Sequence, residues 1–278
     1  MATMPAWRIA AVSGRGRSVL ATRALPAGAI VMESTPLAQV VKGESSATCR
    51  YCAAPLQPSS PPFCSARCEA ADSASGGALL ARCDLSPLHE LHARDGRKFP
   101  LLAASLLAAL LEGLRASRKP HPRWEEAMCL CYADLHPDAA EQLGAEREHI
   151  VRAFADARVS TRDTLEMLLP AERYARILGA AQLNAFSLTT LGGARLSALL
   201  GGGASYFNHD CAPNLDVANA HDHVVRFVTR APVHVDEELT ISYVDPDAAT
   251  HAEHRELFET KYGFTCECSK CRGLAAAG

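Results

Sequence analysis

Eleven cysteines in a chain of 278 residues are the first chemistry on offer, and their spacing sorts them. Cys266-x-Cys268-x-x-Cys271 puts three thiols within six residues, too close for three independent buried cysteines and well suited to wrapping one tetrahedral Zn2+. A fourth ligand must come from elsewhere. Cys211 is the candidate, because Asn208-His209-Asp210-Cys211-Ala212-Pro213-Asn214 is turn-rich and a loop there can be pinned to the C-terminal segment. Upstream, Cys49-x-x-Cys52 is followed after eleven residues by Cys64-x-x-x-Cys68, two thiol pairs at zinc-finger spacing. The stretch from Thr48 to Gly77 is rich in Cys, Pro and Ser and poor in large aliphatics, so it cannot build an apolar core. Structural zinc, which typically contributes on the order of 10–16 kcal/mol of apparent binding free energy at neutral pH, can fold such a segment outright. Cys83, Cys129 and Cys131 lie in or beside helical segments without a partner pair and read as buried apolar thiols, and His89 and His92 as surface histidines. A thiol enzyme would need a cysteine paired with a base; only Cys83 near His89 suggests one, and no nucleophile motif surrounds it.

Other candidates have ordinary roles when read singly. Tyr243 ends the strand-like run Leu239-Thr240-Ile241-Ser242-Tyr243 and suits a packed aromatic with its hydroxyl near water. His209 invites a general-base reading because histidine titrates near neutrality. Asn208 suits a turn and Gly16 a hairpin.

The elements that must carry these residues change type along the chain. Residues 7 to 41 read as β-structure, with Trp7 to Val12, Ser18 to Thr22 and Ile30 to Glu33 separated by Ser13-Gly14-Arg15-Gly16 and Pro26-Ala27-Gly28. From about Pro100 to Leu178 the period is helical: Leu102, Leu106, Leu110 and Leu114 form a stripe that Leu101, Leu107 and Leu111 widen into a core face. A second helix fits Asp138 to Ala157, and a third begins at Ser160, with Asp163 three residues on, and ends at Pro170. After Leu188 the pattern returns to short strands, turns and Gly201-Gly202-Gly203, with no internal repeat.

Formal net charge −3, 48% hydrophobic and 21% charged residues describe an ordinary globular chain of one or two domains. With a pI of about 6.4 and no long Lys/Arg run, tight sequence-independent nucleic-acid binding is not expected. Leu101 to Leu111, eleven residues interrupted by Ser105, falls short of the roughly 20 that a membrane span needs, so none is expected. Met1 to Trp7 lacks a basic segment followed by an apolar one, so neither a secretory leader nor disulfides are expected.

Several segments together resemble the SET-domain protein lysine methyltransferases, especially the branch with a MYND-type zinc finger inserted in the SET fold. They are Arg15-Gly16-Arg17-Ser18, the Cys49 to Cys68 finger, Asn208-His209-Asp210-Cys211-Ala212-Pro213-Asn214, Glu238-Leu239-Thr240-Ile241-Ser242-Tyr243, and Tyr262-Gly263-Phe264-Thr265-Cys266-Glu267-Cys268-Ser269-Lys270-Cys271. The order and spacing of the last three are highly specific, and the match spans most of the chain. The resemblance implies an α+β protein. A β-rich SET core is formed by residues 1 to 48 and 181 to 248, with a MYND-like finger at 49 to 75, a helical insertion at 76 to 180 and a zinc-binding post-SET tail at 249 to 278. It also implies a knotted cofactor loop, which general topology rules would not lead one to expect.

Residue by residue, the family implies that Arg15, Gly16, Arg17, Asn184, Ser205, Asn208, His209, Tyr243 and Phe264 line the S-adenosylmethionine pocket, with Tyr243 the principal catalytic residue. It selects Cys211 as the fourth ligand of the tail zinc, and it gives His209 a role in cofactor binding and loop structure in place of a base. The implied reaction is lysine N-methylation in a nuclear or cytoplasmic setting, on a protein with an accessible lysine; histones are the family's best-known substrates. Methyl transfer of this kind is an in-line displacement by a neutral amine, a task of positioning and desolvation.

The sequence departs from the family in places. The finger keeps the four cysteines of one zinc site and lacks those of a second, so two structural zinc ions per chain are expected. Ser18 replaces the second glycine of the usual turn, and Asp210 stands where many relatives have Ser. With seven residues after Cys271, the C-terminal helical-repeat domain of many relatives is expected to be absent. The rival reading is a zinc-stabilised SET scaffold that binds partners and transfers no methyl group.

Overall fold

The structure, a computed structural model, describes residues 5–42, 48–57, 59–189, 193, 195–219, 224–244 and 251–276. Among these the strands are β1 (Trp7–Val12), β2 (Gly16–Ala21), β3 (Ile30–Ser34), β4 (Ala38–Lys42), β5 (Ala185–Thr189), β6 (Arg195–Leu199), β7 (Asn208–His209), β8 (Leu215–Asn219), β9 (Val225–Thr229) and β10 (Glu238–Ile241). The helices are α1 (Ala66–Ala74), α2 (Gly77–Leu80), α3 (Ser86–Asp95), α4 (Phe99–Ser117), α5 (Pro122–Met128), α6 (Ala140–Asp156), α7 (Arg162–Leu168), α8 (Ala171–Asn184), α9 (His251–Leu257) and α10 (Ser269–Ala276). The chain packs as two compact units. One comprises Met1–Ser34, Gly202–Ala218 and Val224–Gly278, and the other Thr35–Gly201 and Asn219–His223.

In the first unit, β1 and β2 form an antiparallel hairpin with Val12 opposite Gly16 and Trp7 opposite Ala21. Gly16 sits at φ 69°, a left-handed conformation that favours glycine and lets the hairpin close on Arg15. The sheet runs β1-β2-β10-β7, with β10 antiparallel to β2 and parallel to β7. That parallel pairing sets Thr240 beside Asn208 and Ile241 beside His209, so a two-residue strand holds the Asn-His pair against the strand that leads to Tyr243. A second sheet runs β3-β9-β8. Alternation along β9 buries Val225, Phe227 and Thr229, and the Phe227 ring lies 4.5 Å from that of Phe207.

The second unit combines the antiparallel sheet β4-β6-β5 with helices α1 to α8. Its core is α4, buried from Pro100 to Gly113 except at half-buried Ser105, and packed among Trp124, Ile150, Phe154, Tyr174 and Ile177. Helix α4 is long and apolar enough by composition to cross a membrane, but 61% of that window is buried within the fold, and core packing accounts for its character. The buried Glu146 carboxylate pairs with Arg97 and accepts a hydrogen bond from the Tyr174 hydroxyl at 3.1 Å, which satisfies a charge that would otherwise be expensive to bury.

Three expectations are corrected. Helix α7 starts at Arg162, not Ser160, because Thr161 adopts the extended backbone of a cap and its Oγ1 accepts from the Thr164 N–H at 3.4 Å. Pro170 then opens α8 as its cap. Cys129 and Cys131 are exposed rather than buried, because α5 ends at Met128 with Cys129 as its C-cap and Cys131 falls on the irregular connection beyond; Cys83 is half-buried. His89 is exposed, while His92 is half-buried.

Candidate active site and metal centres

Among the described residues, two groups of four thiols converge, each with its sulfurs within 4.8 Å of one another: Cys49, Cys52, Cys64 and Cys68 in the second unit, and Cys211, Cys266, Cys268 and Cys271 in the first. In the finger, the Ala53 N–H donates to the Cys49 carbonyl and the Cys49 N–H to the Ala54 carbonyl, a tight turn that brings Cys49 and Cys52 together. Cys64 and Cys68 bracket the first turn of α1, whose cap Ser65 accepts from the Cys68 N–H at 3.2 Å. Cys64 lies 3.5 Å from both Cys52 and Cys68. In the tail, Cys211 lies 3.5 Å from Cys271 and 3.9 Å from Cys266. A tetrahedron with Zn–S bonds of ~2.3 Å has edges of ~3.8 Å, so these separations fit four thiolates around one zinc ion. Burial pushes the Cys52 and Cys211 thiols up, whereas at Cys49 and Cys268 backbone N–H donors outweigh burial and bring the thiol down. Both four-thiol sets suit zinc.

Around the tail cluster the first unit assembles most of the residues singled out from sequence. Asn208 projects its Nδ2 towards β2, donating to Ser18 Oγ at 2.8 Å, Glu238 Oε1 at 2.9 Å and the Arg15 carbonyl at 3.2 Å. Arg15 Nε pairs with Glu238 Oε2 at 2.6 Å, and its Nη2 donates to the His209 carbonyl at 3.0 Å. Arg17 is exposed; its guanidinium lies 4.6 Å over the Tyr206 ring and donates to the Tyr206 hydroxyl at 3.1 Å. Ser205 donates to the Gly202 carbonyl at 2.9 Å and stays within its own 3-10 turn.

The Tyr243 hydroxyl donates to the Phe207 carbonyl at 2.8 Å. Burial, with Tyr262 close by, raises this phenol above its ordinary range, so it stays protonated at neutral pH. Its ring lies 5.0 Å from Tyr262 and 5.4 Å from His209. Phe264 stacks on buried Phe258 at 5.3 Å, its approach set by Gly263, which ends the π-turn Phe258–Tyr262 at φ 72°. His209 is 3% exposed; burial, then the Arg15 and His254 charges, take it down to about 4.

Asn184 is the exception. It belongs to the second unit, where its Nδ2 donates to the carbonyls of Ala180 at 2.8 Å and Cys131 at 2.9 Å. Conversely, Glu238 and Ser18 turn out to organise Arg15 and Asn208, roles that sequence reasoning did not assign. A glutamate opening the short strand Glu238–Ile241 was the available signal for the first. The serine in place of a turn glycine was the signal for the second.

The SET domain family matches residues 16–244, and the chain belongs to it. The expected α+β SET fold, with thiol clusters in finger and tail, therefore holds. A SET and MYND domain-containing protein of Dictyostelium discoideum is 25% identical over 220 residues, 75% of this chain and 63% of its own length. The histone-lysine N-methyltransferase ATXR4 of Arabidopsis thaliana is 25% identical over 298 residues, 96% of this chain and 86% of its own. The solved SET domain of LSMT bound to MeLysine and AdoHcy aligns over 96% of this chain and 54% of its own, at 13% identity and a TM-score of 0.48. This chain thus spans a little under two thirds of the Dictyostelium protein and about half of the LSMT chain.

Proposed function

We propose that this chain is an S-adenosylmethionine-dependent protein-lysine N-methyltransferase with Tyr243 as its catalytic residue. One observation supports this above the others: a neutral, hydrogen-bonded Tyr243 phenol stands beside the Asn208-His209 strand and the tail thiols in a chain of the SET family. The relative from Arabidopsis, named a histone-lysine N-methyltransferase, aligns over 96% of the chain and supports a histone among lysine-bearing substrates. A nuclear or cytoplasmic placement is part of the same proposal.

The residues present suit the cofactor. The exposed Arg17 guanidinium and the Arg15 guanidinium offer charge-assisted donors to a carboxylate. Half-exposed Phe264, with the His209 ring 6.2 Å away, offers a face to a purine, and Asn208, Ser205 and Gly16 belong to the proposed pocket on their sequence match. Asn184 remains part of this proposal on its sequence match. S-adenosylmethionine, when bound, supplies an electrophilic methyl on a sulfonium. Tyr243 then orients the reacting groups as a neutral hydrogen-bonding phenol, since its raised pKa rules out a phenolate role at neutral pH. The apolar rings of Tyr262, Phe258 and Phe264 packed beside Tyr243 disfavour a charged ammonium there, and attack of the uncharged lysine amine on the methyl carbon breaks the methyl–sulfur bond, leaving the sulfur as a neutral thioether. No ring nitrogen of His209 is available as base, because both are engaged, so the lysine ammonium gives its proton to solvent before the neutral amine enters.

In this reading the SET core comprises residues 1 to 48 and 181 to 248, the finger 49 to 75, the helical insertion 76 to 180 and the tail 249 to 278. The test is transfer of labelled methyl to core histones and to a lysine-rich protein extract by zinc-loaded protein. Tyr243→Phe is expected to lower turnover by roughly a hundredfold, the size of losing one oriented transition-state donor, while cofactor affinity holds. Full turnover in that variant removes the catalytic assignment.

A further inference from the structure

We infer that His209 is a positioning residue that couples the tail thiol centre to Tyr243 through a single imidazole. The inference rests on the reading of Tyr243 as catalytic. The backbone N–H of Tyr243 points at His209 Nδ1 at 3.1 Å. An amide nitrogen can only donate, so Nδ1 carries the lone pair and, in a neutral ring, the proton sits on Nε2. Nε2 lies 3.2 Å from Cys211 Sγ, so the ring donates to that sulfur. A metal-bound thiolate is a far better acceptor than a thiol, and the same metal that orders the four sulfurs therefore locks the tautomer that Tyr243 needs.

The ring has little freedom to do otherwise. It is 3% exposed, its centroid lies 4.3 Å from that of buried Phe258, its carbonyl accepts from Arg15 Nη2 at 3.0 Å, and its strand is paired with β10 at Ile241. The Tyr243 hydroxyl, in turn, is fixed to the carbonyl of Phe207, two residues before His209. Backbone and hydroxyl of Tyr243 are thus both held by the segment that supplies Cys211.

Two substitutions separate the two ends of the ring. In His209→Gln the side-chain amide nitrogen reaches the place of Nε2, keeping the donor to Cys211 and losing the acceptor for Tyr243. In His209→Asn the carbonyl oxygen takes the place of Nδ1, keeping the acceptor and losing the donor. With cobalt in place of zinc, His209→Gln should keep the wild-type thiolate-to-metal charge-transfer band while kcat, read at saturating cofactor, falls roughly fivefold, the scale of one hydrogen bond. His209→Asn should shift that band to lower energy and lower metal affinity roughly tenfold. Band and metal affinity unchanged in both variants, or kcat falling in both only in step with metal loss, would overturn the coupling.

Should the variants fail to fold, nitrogen NMR of 15N-histidine-labelled wild-type protein loaded with 113Cd decides the matter. The proposal requires His209 protonated at Nε2 and bare at Nδ1, with scalar coupling from cadmium to that proton; the opposite tautomer contradicts it. The band and the tautomer need no methyl transfer. If the wild-type protein transfers none while both behave as expected, the enzymatic reading fails and the link from thiol centre to the Tyr243 strand stands.

Discussion

The two thiol centres offer the same four donors in different surroundings. In the tail, Cys266, Cys268 and Cys271 are buried against Phe258, and Cys211 touches His209. In the finger, Cys49 and Cys52 are buried, but Cys64 is exposed and Cys68 only half-covered, at the start of a helix whose own stripe is weak. A metal in the tail therefore holds residues that also hold Tyr243. A metal in the finger holds a turn to α1, where Arg50 pairs with Asp72 and its guanidinium covers the Phe63 ring at 4.7 Å. The difference teaches that ligand spacing alone identifies a metal site, whereas what the metal is for depends on what its ligands touch.

The largest expected effect breaks the tail. Cys268→Ser should release one zinc, measured by elemental analysis as a fall from two ions per chain to one, and abolish both cofactor binding and methyl transfer. Structural zinc typically contributes on the order of 10–16 kcal/mol, more than the local packing can replace. Retained cofactor binding after loss of that zinc would detach the tail from the site.

Cys64→Ser should also remove one zinc and lower the thermal midpoint, yet leave cofactor affinity near wild type. Exposure sharpens the contrast further: mild peroxide or a chelator should take the finger metal before the tail metal, since oxidation follows thiol access. Release in the reverse order, followed by mass spectrometry of the modified cysteines, would contradict the assigned surroundings.

Much of this was legible from residues close in sequence. Spacing grouped Cys49 with Cys52 and Cys64 with Cys68, and the turn-rich Asn208 to Asn214 segment pointed to Cys211 as the distant ligand, because ligand geometry restricts the spacing. Less was legible where the partner is remote or where one residue of phase decides exposure. Nothing local announces that Glu238 clamps Arg15 and Asn208, since strand pairing between β2 and β10 brings them together. Cys129 and Cys131 read as apolar thiols from their helical neighbourhood, yet the helix stops one residue earlier and leaves both exposed. Asn214 likewise looks like a turn residue, and its Oδ1 accepts from the Thr240 N–H at 2.9 Å to bind the motif to β10.

The smallest expected effect concerns Ser18, fully buried on β2, whose Oγ accepts from Asn208. Ser18→Ala removes that acceptor while Glu238 still holds the same amide. A loss of about 1 kcal/mol is expected, read as a modest fall in denaturation midpoint with a cofactor affinity weakened by less than about tenfold. A loss as large as that of Cys268→Ser would mean that Ser18, not the thiol centre, organises the segment.

Calorimetric titration of zinc-replete protein with S-adenosylmethionine tests the central claim most directly, because it needs no knowledge of the substrate. Saturable one-to-one binding that disappears in Cys268→Ser is the predicted result. Absence of binding in wild-type protein shown to be folded and carrying two zinc ions would contradict it and leave a zinc-stabilised SET scaffold that recruits partners without transferring a methyl group.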